Sequence, residues 1–180
     1  MKQYVVMGYM LCFCAATSVL GNDARDAMQE GQRQYKNQTF DEAAQNFGEA
    51  ASLAEQAKLD PSVAHYNQAN ALLKSDKPDE AAQGYADALR TTDLDVQQHA
   101  FYNRGNALIE SSKKLEQQGQ LEPAVKSTEE ALAMYEGAIS LNPRDEDAKI
   151  NYELAIQRKM ELKEKLKQQQ QQQNQEDQQQ

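Results

Sequence analysis

Hydrophobic and polar positions in this chain follow a helical period over most of its length. Ala43, Phe47 and Ala50 are spaced i, i+4, i+7, and the same triplet returns as Ala81, Tyr85, Ala88 and as Ala131, Tyr135, Ala138. That spacing puts three side chains on one face of a helix. Small residues either side of an aromatic let a neighbouring helix approach while the ring fills the gap, so each stripe reads as core. Each stripe helix opens after a polar turn, with acidic residues where the helix dipole favours them: Phe40-Asp41-Glu42-Ala43-Ala44, Pro78-Asp79-Glu80-Ala81-Ala82 and Leu121-Glu122-Pro123-Ala124. Upstream, Tyr66-Asn67-Gln68-Ala69-Asn70-Ala71-Leu72 and Tyr102-Asn103-Arg104-Gly105-Asn106-Ala107-Leu108 are almost one heptapeptide, and Gly31 holds the equivalent place in the first unit. Such internal self-similarity predicts an all-α array of helical hairpins.

The period is uneven, and the unevenness carries information. Ala43 to Ala81 is 38 residues, so the link around Lys58-Leu59-Asp60-Pro61 is four longer than a 34-residue repeat allows. Ala69 to Gly105 is 36, yet Tyr85 to Tyr135 is 50. The surplus of 14 falls inside the third unit. With a turn at Gln118-Gly119-Gln120, each of its two helices gains seven residues, close to two helical turns. The expected hairpins are therefore about 24–55, 62–92 and 98–142, the last projecting by roughly 10 Å. A final helix from 145, starting with Asp145-Glu146-Asp147, has no partner helix after it and reads as a cap on the array. From Lys159 the chain turns charged all round, and Gln168 to Gln180 holds ten Gln in thirteen residues. With no apolar face to bury, 159–180 is expected to be a charged helix passing into a disordered or frayed Gln-rich tail.

These residues resemble the tetratricopeptide repeat over roughly residues 24 to 155. Gly31 or Gly105 in a first helix, an Ala–aromatic–Ala stripe in a second, and Asn142-Pro143 closing the unit are its signature. The consensus Trp is missing, with Ala27, His65 and Phe101 in its place, and Ala69 replaces the consensus Gly in the second repeat. The resemblance implies a tetratricopeptide-repeat α-solenoid of about three helical hairpins plus a C-terminal capping helix.

Before the repeats lies a different pattern. Lys2 is followed by an uncharged, mostly apolar run, Val5 to Leu20. Val19-Leu20-Gly21 then places small residues where a signal peptidase reads them. This predicts a signal peptide over 1–21, cleavage before Asn22, and a repeat domain over 22–158. The run of 16 is short of the roughly 20 residues that span a bilayer; retention as an inner-membrane anchor is the alternative. Bulky Leu11 and Phe13 before Cys12 and Cys14 argue against a lipoprotein. Cleavage removes both cysteines, leaving no disulfide and no thiolate metal site in an oxidising compartment.

Charge and composition narrow the chemistry. The chain has 28 acidic and 19 basic residues, a net charge of −9, and no Trp among its 180 residues. Loss of Lys2 with the signal takes −9 to −10. That balance argues against a nucleic-acid partner, which needs a basic face. No phosphate loop, nucleophile elbow or paired-histidine zinc motif occurs. His65 and His99 lie 34 residues apart, each in the first helix of a unit, and read as packed or surface residues. No catalytic residue, metal or cofactor is expected.

What remains is a groove lined by first helices, the concave surface such arrays use. Its candidate partner-binding residues are Tyr66, Asn67, Asn70, Tyr102, Asn103, Asn106 and Asn151, with Leu73 and Ile109 beside them. Asn donates and accepts, so it can pair with an extended peptide backbone, and Tyr adds rigid contact area. The other reading is that the Asn side chains bridge adjacent helices. A clamp for a C-terminal carboxylate would need Lys and Arg where Met28, Gln32, Val63, His99 and Asn103 stand, so that clamp is not expected.

A narrower resemblance rests on Asn142-Pro143-Arg144-Asp145-Glu146-Asp147-Ala148-Lys149-Ile150-Asn151-Tyr152-Glu153-Leu154-Ala155 passing into a charged helix and a Gln run. With the export segment, this is similar to the tetratricopeptide proteins of the Bacteroides aerotolerance group. The resemblance implies a periplasmic protein-protein interaction scaffold whose partners are von Willebrand factor A-domain membrane proteins encoded beside a MoxR-type ATPase. A self-associating structural or stress-related envelope protein is the alternative. The export segment generates the first testable outcome: protein purified from its native envelope should have the intact mass of a chain starting at Asn22, and a retained Met1 or a lipid on Cys12 or Cys14 would overturn the soluble reading.

Overall fold

The computed structural model describes residues 2–177, and side chains from 19 to 176. The side chains of Cys12, Cys14 and most of the expected signal peptide lie outside that range, and Gln178–Gln180 lie outside the described residues. The described residues form seven α-helices and no strand: α1 Lys2–Lys36, α2 Phe40–Gln56, α3 Ser62–Lys74, α4 Pro78–Ala88, α5 Leu94–Gln117, α6 Leu121–Leu141 and α7 Glu146–Asp177. They divide into two compact units, Met1–Val96 and Gln97–Gln180.

In the first unit α1 pairs with α2 and α3 with α4, while α2 also packs on α3. The pairing follows from the stripes. Phe47 is buried on α2 and its ring lies so close to Gly31 that a Cβ there would sit 2.7 Å from it. In the second hairpin Tyr85 is fully buried, and Ala69 of α3 faces Gly84 of α4, where an added Cβ would come within 3.0 Å. The reversals share one device. Gln38, Lys58 and Asp76 adopt left-handed φ near 60°. The next residue's N–H then reaches back five residues, Thr39 to Gln34 at 3.0 Å, Leu59 to Ala54 at 2.8 Å and Lys77 to Leu72 at 3.0 Å. This closes the helix ends whose carbonyls would otherwise lack donors. The longer link after α2 is held by Asp60, whose carboxylate accepts from the Ser62 N–H and the Thr91 hydroxyl, both at 2.8 Å.

The second unit contains the lengthened hairpin. α5 and α6 run 24 and 21 residues, against 13 and 11 for α3 and α4. The chain reverses at Gly119, with φ 75°. Tyr135 seats on Gly105 and Phe101 on Gly137, each leaving no room for a Cβ on the glycine. The added turns are packed by small hydroxyls. Ser112 and Thr128 are fully buried 2.8 Å apart, and each lies 2.9 Å from the Ala124 carbonyl. Ser127 donates to the Leu108 carbonyl at 2.8 Å. These bonds satisfy polar atoms that would be costly to bury alone.

α7 starts with Asp145, which accepts from the Ala148 N–H at 3.0 Å as an N-cap. Ala148, Ala155 and Leu162, spaced by seven, form its buried edge. The face it would offer to a following helix is charged: Lys149 and Glu153 stand 48 residues after Phe101 and Gly105, the positions through which α5 receives α6. The helix thus lacks the ring and the glycine through which α5 receives its partner.

The sequence predicts a charged helix from Lys159 and a disordered or frayed Gln-rich tail from Gln168. In the structure α7 continues to Asp177, and its stretch from Arg158 to Lys165 packs against the added turns of the hairpin. Leu162, 1% exposed, sits on Ala124 and Val125 with Leu115 and Leu121 around it. Arg158 donates to Ser112 Oγ at 3.2 Å and to Glu116 at 2.9 Å, Lys165 reaches Glu116 at 2.5 Å, and Lys163 reaches Glu129 at 2.7 Å. Lys165, and then Arg158, hold the Glu116 carboxyl below its usual range. One apolar residue every two turns is too sparse to read as a stripe, which is why the segment looked charged all round.

Two substitutions test this packing by denaturant unfolding. Leu162→Ala should cost about 2–4 kcal/mol, as for a buried leucine, while Lys163→Ala, an exposed ion-pair partner, should cost under about 1 kcal/mol. Equal, negligible effects would mean α7 beyond Lys159 is not docked. Gly105→Ala should destabilise by about 1–3 kcal/mol through overpacking, despite alanine's advantage of about 1 kcal/mol in a helix.

Candidate functional site

The buried aromatics reach first-helix amides in each unit. Tyr85 donates to Asn70 Oδ1 at 2.7 Å, and Tyr135 donates to Asn106 Oδ1 at 2.8 Å. Each ring also meets a first-helix tyrosine: Tyr66 stands edge-on to Tyr85 with centroids 5.6 Å apart, and Tyr102 is tilted against Tyr135 at 6.2 Å. Desolvation pushes both buried hydroxyls well above the usual tyrosine range, with the neighbouring Tyr66 and Tyr102 adding to it.

A second set of amides spans one first helix to the next. Asn67 Nδ2 lies 3.6 Å from the Met28 sulfur. Asn151 Nδ2 donates to Tyr102 Oη and to Asn106 Oδ1, both at 3.0 Å. Met28 and Tyr102 are repeat-equivalent, as are Asn67 and Asn151. The bridge is therefore the same one in each unit, with a sulfur in one and a hydroxyl in the other.

An open pocket lies over these groups in each unit. In the first, about 190 Å³, its walls are Gln32, Tyr35, Lys36, Phe47, Asn67 and Asn70. In the second, about 360 Å³, six of its lining residues are Asn106, Ile109, Glu110, Tyr135, Asn151 and Leu154. Taken in that order, the two sets are equivalent position by position under the repeat shifts. Lys113, Ala155 and Arg158 complete the larger pocket, supplied by the added turns and by α7.

The structure thus gathers Asn67 and Asn70 at one pocket and Asn106 and Asn151 at the other. Tyr102 stands behind the second as the acceptor for Asn151. Tyr66 packs on Tyr85, and Asn103 is half-buried and already engaged; neither lines the two pockets. Residues not singled out from sequence are Gln32, Tyr35, Leu154 and Arg158, and the aromatics Phe47 and Tyr135, which read only as core. The signal for them was present: Gln32 stands where Asn70 and Asn106 stand, and Leu154 follows Asn106 by 48. Among the described residues no group of three or more His, Cys, Asp or Glu converges as a cation site, and no helix is long and apolar enough to cross a membrane.

No protein-family model and no curated protein sequence matches this chain. Solved structures do. The first TPR domain of Spaghetti (RPAP3), bound to the HSP90 peptide SRMEEVD, is 21% identical with a TM-score of 0.59, over 76% of this chain and 93% of that one. The Arabidopsis OM64 TPR domain is 20% identical with a TM-score of 0.57, over 76% and 96%. With helices throughout and this likeness, the fold is an all-α tetratricopeptide-repeat solenoid.

The Tyr–Asn bonds predict a non-additive pair. Asn106→Ala should cost about 1–3 kcal/mol by leaving the Tyr135 hydroxyl unpaired, and much less in a Tyr135→Phe background. The pH dependence follows from the raised hydroxyl pKa values. The neutral form is favoured by folding, so this stability is complete below about pH 10, the unfolded tyrosine value, and is lost as pH rises beyond it. In an absorbance titration Tyr85 and Tyr135 should ionise only together with alkaline unfolding.

Proposed function

We propose that this chain is an exported, non-catalytic scaffold that holds an extended segment of a protein partner, and that the partner is a von Willebrand factor A-domain membrane protein of an aerotolerance system with a MoxR-type ATPase. The observation that carries the binding reading is the recurrence of one open pocket in both units, built from six equivalent positions. Core packing accounts for the stripes but does not call for an opening at the same place in both units, with Asn67 lining one and its equivalent Asn151 the other. The similar Spaghetti domain is bound to a short peptide, so the fold accommodates such a ligand.

Export is supported by the apolar run and by the repeat register. Asp23 is the equivalent of Asp145, the N-cap of α7, and α3 and α7 start at Ser62 and Glu146, the equivalents of Ala24. Everything before Asn22 is thus surplus to the repeat, although α1 continues through it. The partner is supported by the resemblance of the Asn142–Ala155 run and Gln-rich tail to the aerotolerance protein BatC.

Chemical cross-linking of tagged full-length protein in its own envelope, followed by mass spectrometry, tests both parts. An A-domain membrane protein should be the main adduct, and its purified soluble domain should bind the purified chain with a Kd in the micromolar range or tighter, about −8 kcal/mol. Recovery of the chain with no A-domain adduct, together with no binding of the purified domain, would overturn the partner assignment.

A further inference from the structure

The larger pocket of the second unit has features the repeat pattern does not require. Two hydrogen-bonding atoms at its floor, Asn106 Nδ2 and Asn151 Oδ1, have no protein partner among the described residues, while their opposite amide atoms are used in the Tyr135 and Tyr102 bonds. A donor and an acceptor side by side match the C=O and N–H of one residue in an extended peptide, which face the same side of the strand. Above them the wall is apolar. Ile109 stands where the smaller pocket has Tyr35, and Leu154, 54% exposed, stands where it has Asn70. An exposed leucine at an otherwise amide position is unexplained by packing within the unit.

The two cations that line the rim each have a carboxylate partner. Lys113 pairs with Glu110 at 2.7 Å. Arg158 pairs with Glu116 at 2.9 Å, and the same carboxylate is held by Lys165. The Arg158–Glu116 pair is mostly shielded, with side chains 17% and 23% exposed, so exchanging Glu116 for a ligand carboxylate would leave a desolvated charge unpaired.

We infer that this pocket takes one uncharged apolar side chain of an extended peptide, with Asn106 and Asn151 pairing its backbone, and that Glu116 sets the preference by neutralising Arg158. The inference rests on the scaffold reading above and names the ligand chemistry of the same site. Glu116 acts as a positioning residue: it fixes Arg158 along the wall and occupies its guanidinium, so that a ligand carboxylate would have to displace it. α7 is fastened to the hairpin through that same carboxylate, so docking of the tail and the polarity of the pocket are set together.

The test uses the full-length, nitrogen-labelled chain and three acetylated, amidated pentapeptides: Gly-Gly-Leu-Gly-Gly, the same with Glu at the centre, and pentaglycine. The Leu peptide should shift the Asn106 and Asn151 side-chain amide signals and bind at least about fivefold tighter than the other two, a modest part of what burying a leucine yields. Leu154→Gln, on an exposed position, should erase that preference. Glu116→Gln should raise affinity for the Glu peptide about threefold or more, and Glu116→Gln with Arg158→Met should lose the gain, whether or not the tail stays docked. Equal binding of the Leu and Glu peptides, shifts confined to other residues, or no shifts up to about 5 mM, weaker than any useful affinity, would each overturn the inference. The two readings fail separately. Capture of the A-domain protein that Leu154→Gln leaves unchanged removes this pocket but keeps the scaffold; Leu preference without A-domain capture keeps the pocket and removes that partner.

Discussion

The seating of one aromatic ring on one small residue organises each hairpin of this protein. Phe47 on Gly31 and Tyr135 on Gly105 bring two helices to a separation that admits no Cβ at the glycine. Everything else is arranged around that contact. The alanines above and below the ring line the rest of the close approach, the left-handed residue after each first helix turns the chain back at the length the ring allows, and the far edge of the ring comes out on the groove side. Where the ring carries a hydroxyl, a buried donor must be satisfied. The acceptor is then Asn, as in Tyr85–Asn70 and Tyr135–Asn106; where the ring is Phe47, the equivalent position is Gln32. The Asn pattern in the groove is thus partly dictated from the core.

The recurrent amides bridge helices without using up their hydrogen-bonding capacity. Asn151 ties α7 to α5 through Tyr102 and Asn106, yet only one end of its amide is spent in doing so. The same holds for Asn106. Bridging and groove function had seemed competing readings of these side chains. In the structure a bridge immobilises the amide, and an immobilised amide offers its remaining atom to a ligand with little entropy left to lose.

The fold was legible because its signal is repeated. Three stripes at i, i+4, i+7, two nearly identical heptapeptides and a surplus of 14 residues place the helices and lead to a reversal at Gly119 without any knowledge of contacts. The pocket was legible only in part. Asn67, Asn70, Asn106 and Asn151 stand out because they recur as Asn, whereas Leu154 and Gln32 are equivalent in place but not in type. Tyr135 reads as core from its stripe, yet its ring packs while its hydroxyl bonds Asn106 beside the pocket. The docking of α7 was hidden for a different reason: a helix lying against hydroxyl-rich turns needs one leucine, Leu162, and a few long charged side chains, a pattern that composition cannot separate from a solvated helix.

Adding two turns to a hairpin exposes new flank on both of its helices, and here that flank is covered because α7 extends alongside it. The three lengths are therefore one variable. A lineage could not lengthen α5 and α6 and keep a short final helix without baring Ala124 and Val125, nor shorten them without stranding Leu162. Change in length here would have to be concerted, at three separated places in the sequence. Insertions or deletions in natural variants should accordingly come as matched triplets, so that an alignment scoring each gap independently would treat one structural event as three.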